Sequence, residues 1–283
     1  MTFKTILLNL NHEERAAELI AAAAVIARTS GAHVVGLFVM PPLFMPSDVI
    51  LPMGSDFYQQ QVTEHGAQAE RIKTIFERLT RGEPFVAEWR VFGDARSAYE
   101  SIADGVIALS RAVELVIVSQ ARDGIAPPML TDVPERVALE SGRPVLVIPA
   151  SWQPNAFGEK IAIAWNGSRE AARATFDALP FLRRAKSIQI ITAGGEKTDE
   201  GAITIPAADV AATLARHSLN IDVAVVPEAG RSAGPSLISR VLTDGADMLV
   251  MGAYGHSRMR EFILGGATRD ILKTMTVPVL MSH

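Results

Sequence analysis

Short apolar runs alternate along this chain with longer segments whose apolar residues recur at helical spacing. In the first half, Thr5–Asn9, Val34–Val39, Phe85–Val91, Leu115–Val118 and Val145–Ile148 are strand candidates, dominated by Val, Ile and Leu. Between them, Glu13–Thr29, Gln60–Leu79, Ala95–Ala108 and Val133–Glu140 have the periodicity of helices with one buried face. The second half repeats the alternation, with strand candidates Ile161–Ala164, Ile188–Thr192, Asp222–Val226, Met248–Met251 and Val277–Met281. Near-continuous apolar strands separated by helices predict parallel sheets covered on both faces. Right-handed crossovers then give a doubly wound α/β architecture.

The halves also match in detail. Lys4–Leu10 followed by an Ala-rich helix parallels Lys160–Asn166 followed by another. Arg96-Ser-Ala parallels Arg231-Ser-Ala, and Val113–Ser119 parallels Ala246–Gly252. Each half closes on a Pro-Val-Leu strand, at Arg143-Pro-Val-Leu and Val277-Pro-Val-Leu. The offset between matching positions falls from 156 to 134, so the first half carries about 22 extra residues, expected in the Pro- and Met-rich stretch Met40 to Gly54. That stretch reads either as a lid or interface cover, or as a long crossover loop. Two copies of one domain are expected, at 1–150 and 160–283, with a boundary near Ala150 to Glu159.

Composition narrows the chemistry. The 283 residues include no Cys, which removes disulfides, thiolate metal sites and Cys nucleophiles. A net charge of −4 argues against a phosphate-backbone partner such as nucleic acid. The longest uninterrupted apolar stretch, Leu19 to Ala27, is far short of a membrane span, and the N-terminal apolar run is too short for a signal peptide. The expectation is a cytoplasmic protein without a membrane partner.

In doubly wound sheets, ligands bind beyond the carboxyl ends of the strands, where strand order reverses. There the second half carries Gly252-Ala-Tyr-Gly255-His256, nine residues on Gly265-Gly266-Ala267-Thr268, and then a helix. Glycines let backbone N–H groups approach phosphate oxygens, and a helix N-terminus favours an anion. The same glycines equally suit tight turns and close helix–strand contact. His256 reads as a phosphate contact or as an exposed loop residue, and Arg258 and Arg260 as sources of positive potential or as solvated arginines.

These residues resemble the signature of the universal stress protein family, and the whole chain looks like a tandem member with two copies of that domain. The resemblance implies two Rossmann-like, five-stranded sheets of the adenine nucleotide alpha hydrolase-like type. It also implies ATP binding, with Mg²⁺ accompanying the nucleotide, in a regulatory or stress-response role. Phosphates would lie on Gly252, Gly255, Gly265 and the Gly266–Thr268 turn, with His256 and Met251 adjoining. Adenine and ribose would lie against Ala164, Trp165, Asn166 and Ser168, with the backbone of Thr192-Ala193 bordering the base. Dimer-like packing of the halves is implied, and a homodimer of chains is compatible with it. Three positions depart from the family pattern. Gly266 replaces a Ser or Thr, leaving Thr268 to supply a hydroxyl. Asn166 replaces a common Asp, and Trp165 is large for its place, so that it either stacks on adenine or fills the pocket. In the first half, Ser119–Glu135 has lost all three signature glycines, which predicts a degenerate site retained for structure.

Two other functional classes are open to the sequence. A closed pocket would leave a non-nucleotide-binding scaffold of the same fold. Gly230-Arg-Ser232-Ala-Gly234 matches the nucleophile elbow of serine hydrolases, with Asp247 and His283 or His256 completing a nominal triad. Only 51 residues follow Ser232, too few for the usual acid and base strands, and a helix start is the simpler role. No P-loop lysine or positioned general base is visible, so no catalytic residue is assigned and any ATP hydrolysis would be slow. Histidine spacing offers no dedicated metal site.

Overall fold

A computed structural model of the chain describes residues 2–43, 54–94, 101–121, 132–193, 205–217, 219–226, 233–254 and 266–283. Ten strands form: β1 (Thr5–Asn9), β2 (His33–Val39), β3 (Ala87–Phe92), β4 (Leu115–Ser119), β5 (Val145–Ile148), β6 (Lys160–Ala164), β7 (Ser187–Ala193), β8 (Ile221–Val226), β9 (Met248–Gly252) and β10 (Val279–Ser282). The helices are α1 (Ala16–Ser30), α2 (Gly54–Thr80), α3 (Ile102–Ser110), α4 (Val133–Glu140), α5 (Arg169–Asp177), α6 (Leu179–Leu182), α7 (Ala207–Ala215), α8 (Ala233–Thr243) and α9 (Gly266–Thr274).

The strand order is β3-β2-β1-β4-β5-β10-β9-β6-β7-β8. Each half is therefore a parallel doubly wound sheet, as the alternation predicted. The expectation of two separate sheets is corrected. β5 pairs antiparallel with β10, Leu146 opposite Leu280, and joins the halves into one mixed ten-stranded sheet. The Pro-Val-Leu strands that close each half are the ones that meet. Both are fully buried, because each lies at the centre of the combined sheet and neither presents an edge.

Alternate residues of each strand supply the two cores. On one face, Leu8, Ile163 and Val250 pack with Leu19 and Ile26 of α1, Phe76 of α2, Ala174 of α5 and Leu214 of α7. On the other, Leu7, Ala162 and Leu249 pack with Val106 of α3, Val137 of α4, Val241 of α8 and Ile271 of α9. Both faces are covered over the inner strands, which accounts for their run-like rather than alternating hydrophobicity, whereas the edge strands β3 and β8 stay partly exposed.

Element boundaries follow local chemistry. α1 ends where Gly31 adopts a left-handed conformation (φ 61°) and its N–H bonds to Ala27 O. α3 begins later than the periodicity suggested. Ser101 caps it through a reciprocal box, its hydroxyl accepting from the Asp104 N–H while the Asp104 carboxylate accepts from the Ser101 N–H. Residues 95–100 lie outside those described. The extra length of the first half is also corrected. The β2–α2 connection has about the same number of residues as its counterpart β7–α7, whereas α2 has 27 residues against 9 in α7. The surplus is helix, not the Met40 to Gly54 stretch, of which residues 44–53 lie outside those described.

The halves are tied together beyond the strand pairing. Gln120, at the end of β4, donates from Nε2 to Leu272 O (2.7 Å) and Lys273 O (3.1 Å) at the C-terminus of α9, and accepts from the Ala150 N–H (2.7 Å). Those carbonyls have no partner within the helix, so one side chain from the first half completes a helix of the second. Buried Arg15 donates to Pro149 O (2.6 Å) and Ala150 O (3.2 Å), fixing the start of the connection that runs to β6.

Candidate functional site

A cleft of about 350 Å³ opens at the carboxyl ends of β6, β7 and β9. This is the point in the second half where strand order reverses, with β7 and β9 on opposite sides of β6. Its walls are Ala164, Trp165 and Asn166 after β6, Ile191 and Ala193 of β7, Met251, Gly252 and Tyr254 after β9, Ala233 and Leu237 of α8, and Gly266, Ala267 and Thr268 opening α9. Sequence analysis had named Ala164, Trp165, Asn166, Met251, Gly252, Gly266, Ala267 and Thr268, and the fold brings all eight together. Gly255, His256 and Gly265 lie outside the described residues, as do Arg258, Arg260 and Ser232.

Two expected residues do not line the cleft. Ser168 caps α5, its hydroxyl accepting from the Ala171 N–H at 3.1 Å. Thr192 is buried, and strand alternation places its neighbours Ile191 and Ala193 on the cleft side instead. The expected Thr192-Ala193 segment thus meets the cleft at Ala193. Tyr254, Ala233 and Leu237 were missed too. Tyr254 had a sequence signal, since it sits between Gly252 and Gly255, but an aromatic residue gave no hint of a left-handed backbone.

Gly252, the signature glycine that is described, and Gly266 have different reasons to be glycine. A Cβ on Gly252 would stand 2.5 Å from the Ala171 nitrogen and 2.6 Å from the Glu170 carbonyl carbon. Gly252 lets the first turn of α5 lie directly on β9, which is the packing alternative. Among the described residues, a Cβ on Gly266 would meet nothing within 4 Å. That position opens a nine-residue helix, whose first N–H groups have no partner within the helix.

Tyr254 shapes the same wall. Its φ of 57° is left-handed, which is strained for a non-glycine residue. Its N–H donates to Thr268 Oγ1 at 3.2 Å, holding the turn after β9 against the first turn of α9. Thr268 is buried and keeps its hydroxyl proton for another acceptor.

Trp165 is 6% exposed. Its indole N–H donates to Ile205 O (2.9 Å) and its backbone N–H to Ile191 O (2.9 Å). Most of the ring is therefore fixed filling, with one part left as cleft wall. Asn166 is exposed and accepts from the Ser168 N–H through Oδ1 (3.2 Å), so its amide nitrogen has no partner among the described residues. Glu170, behind Gly252, is buried. Burial pushes its carboxyl up, but hydrogen bonds from Arg169, its own N–H and Ser168 outweigh that and hold it below the usual carboxylate range.

The first half offers a direct comparison. The Leu10 N–H bonds to Leu37 O as Trp165 does to Ile191 O, which makes Asn11 the counterpart of Asn166. Asn11 is buried and its amide is fully engaged. Nδ2 donates to Val39 O (2.6 Å), while Oδ1 accepts from the Val39 N–H (3.2 Å) and from Asn9 (2.7 Å). The same residue type seals the strand ends in one half and is open in the other.

Asp247 and His283 of the nominal hydrolase triad do not come together, and Ser232 and His256 lie outside the described residues. The Asp247 carboxylate accepts the backbone N–H groups of Gly158, Glu159 and Lys160 at the amino end of β9. His283 sits against Ala253 O, at the carboxyl end, a full strand away. Among the described residues no group of three or more His, Asp or Glu side chains could hold a metal ion, and no helix is long and apolar enough to cross a membrane.

Comparison with known proteins agrees with this architecture. Residues 159–283 match the model of the universal stress protein family. A curated relative, universal stress protein Slr1230 of Synechocystis, is 30% identical over 149 residues; the match covers 52% of this chain and 49%, about half, of that protein. The solved structure of a universal stress protein from Archaeoglobus fulgidus DSM 4304 superposes with a TM-score of 0.71 at 17% identity, covering 98% of this chain and 97% of that one. A protein of unknown function from Pseudomonas aeruginosa PAO1 gives a TM-score of 0.60 at 15% identity, over 99% of this chain and 92% of that one. At such identities the structures establish a shared fold along the full length.

Proposed function

We propose that the second half binds an adenine nucleotide in the cleft between Trp165, Asn166 and the N-terminus of α9, and that the first half is a structural partner without a nucleotide site of its own. The observation that carries the reading is the pairing of Gly266 with Asn166. A Cβ-free helix start opens on the cleft opposite an amide with a nitrogen to spare. Phosphate oxygens would take the unpaired N–H groups of Gly266 and Ala267 and the Thr268 hydroxyl. The base edge would take the Asn166 amide, with the exposed part of Trp165 and Ile191 against its ring. The absence of a carboxylate at position 166 keeps negative charge away from the phosphates. ATP is the proposed form, with Mg²⁺ carried by the phosphates rather than by protein ligands. The role is regulation through occupancy, with the halves of one chain acting as a pseudo-dimer and any hydrolysis slow.

Calorimetric titration of the full chain with ATP in the presence of Mg²⁺ tests the reading. One site per chain is expected, together with a thermal shift on saturation. Two sites per chain would overturn the assignment of the first half. No heat and no shift would favour a scaffold whose pocket Trp165 has closed.

A further inference from the structure

A second cleft, also of about 350 Å³, lies away from the first, where residues of the two halves meet. Its lining comes from residues that precede strands: Phe3 before β1, the end of α1 before β2, Phe157 to Glu159 before β6, and Pro180 to Arg184 before β7. It is built from both halves and from the connection between them, so neither half alone contains it.

Its floor is aromatic and rigid. Phe3, Phe157 and Phe181 are buried, with ring centroids 5.4 Å apart for Phe3 and Phe181 and 6.4 Å for Phe157 and Phe181. Trp152 packs edge-on against Phe157 from behind. The connecting segment is held by the Asp247 carboxylate, which accepts the N–H groups of three successive residues, and by the left-handed Gly158 (φ 83°). This wall is formed before any ligand arrives.

Charge at the rim is unevenly paired. Arg28 forms a two-pronged bond with Glu83, and Lys186 bonds Glu159 at 2.7 Å. Among the described residues, the Arg184 guanidinium bonds only to the Thr29 hydroxyl, which itself donates to Ile26 O, and faces no carboxylate. Among the described residues, Arg184 is thus a rim cation without a carboxylate partner, beside an apolar floor.

We propose that this cleft between the halves is a binding site for a small amphipathic carboxylate, its apolar body on Phe3, Phe157 and Phe181 and its negative charge on Arg184. A guanidinium fork suits a carboxylate. The site is independent of the nucleotide cleft, and a ligand there would bridge the two halves.

The test uses the full chain and the fluorescent anion 1-anilinonaphthalene-8-sulfonate as probe. Saturable binding of one equivalent is expected, displaced by octanoate but not by the same concentration of octan-1-ol, and unaffected by ATP. Arg184→Gln should weaken the probe by about tenfold, the scale of one lost charge-assisted hydrogen bond, and Arg184→Lys should restore part of it. Ala156→Trp, which crowds the mouth from an exposed position, should block binding without unfolding the chain. Displacement by ATP, equal competition by octan-1-ol, or an unchanged affinity in Arg184→Gln would each overturn the proposal.

Discussion

The Tyr254 phenol donates to Glu135 Oε1, joining the turn after β9 in the second half to α4 in the first, 119 residues earlier in the chain. The same tyrosine holds Thr268 at the start of α9 through its backbone N–H, so one residue touches the cleft wall, the helix and the other half. Its left-handed backbone persists because these contacts over-determine it.

Tyr254→Phe keeps the ring and removes only the bond to the carboxylate. A loss of about 1–3 kcal/mol is expected, the range for a hydrogen bond to a charged group in a partly buried site. Urea unfolding checks it: the midpoint should fall in Tyr254→Phe, and a Glu135→Gln background should shrink the difference. Additive losses in the two variants would mean that the pair is not coupled.

Gly252 and Gly266 should respond in opposite ways. Gly252→Ala drives a methyl into the backbone of α5, and overpacking of this kind costs about 1–3 kcal/mol or more. Gly266→Leu adds bulk in open space, so its melting temperature should stay near that of the parent while ATP affinity falls by about tenfold or more as the side chain blocks the helix start. Parental ATP affinity in Gly266→Leu would count against the proposed phosphate position.

Glu170 makes stability depend on acidity. Its folded-state pKa is held below the unfolded value, so its ionised form favours the fold at every pH above that unfolded value, near 4.3. The contribution is lost as the pH falls through the lower, folded value. Glu170→Gln should therefore be less stable than the parent at neutral pH, with the gap closing in acid. Chemical denaturation of both proteins at neutral and acidic pH measures this, and a gap of constant size would exclude ionisation as its cause.

Much of the fold was legible because burial on both faces leaves a strong mark in sequence. β1, β5 and α4 fall on the expected residues, since each is short, apolar and bounded by turn or cap residues. The start of α3 was misjudged because the cap at Ser101 is a local hydrogen-bond pattern and not a change in periodicity. The carboxyl-end cleft was legible from the order of elements, which put the Trp165 and Gly266 segments at one switch point. Ser168 does not reach the cleft because its hydroxyl caps a helix, and at the end of β7 it is Ile191 and Ala193, on the other side of the strand from Thr192, that form the wall.

Sequence alone determined the repeat, the alternation of strands and helices, the absence of thiol chemistry and the strand ends of the second half where a cleft opens. All of these follow from local periodicity, composition and chain order. Tertiary structure decided the union of both halves in one sheet through β5 and β10, the packing role of Gly252 against the open position of Gly266 among the described residues, and the different employment of Asn11 and Asn166. It also decided the cleft between the halves, assembled from Phe3, Phe157, Phe181 and Arg184. Each of these depends on which distant backbone lies within a few ångströms of a side chain, a relation that hydrophobic pattern along one segment does not encode.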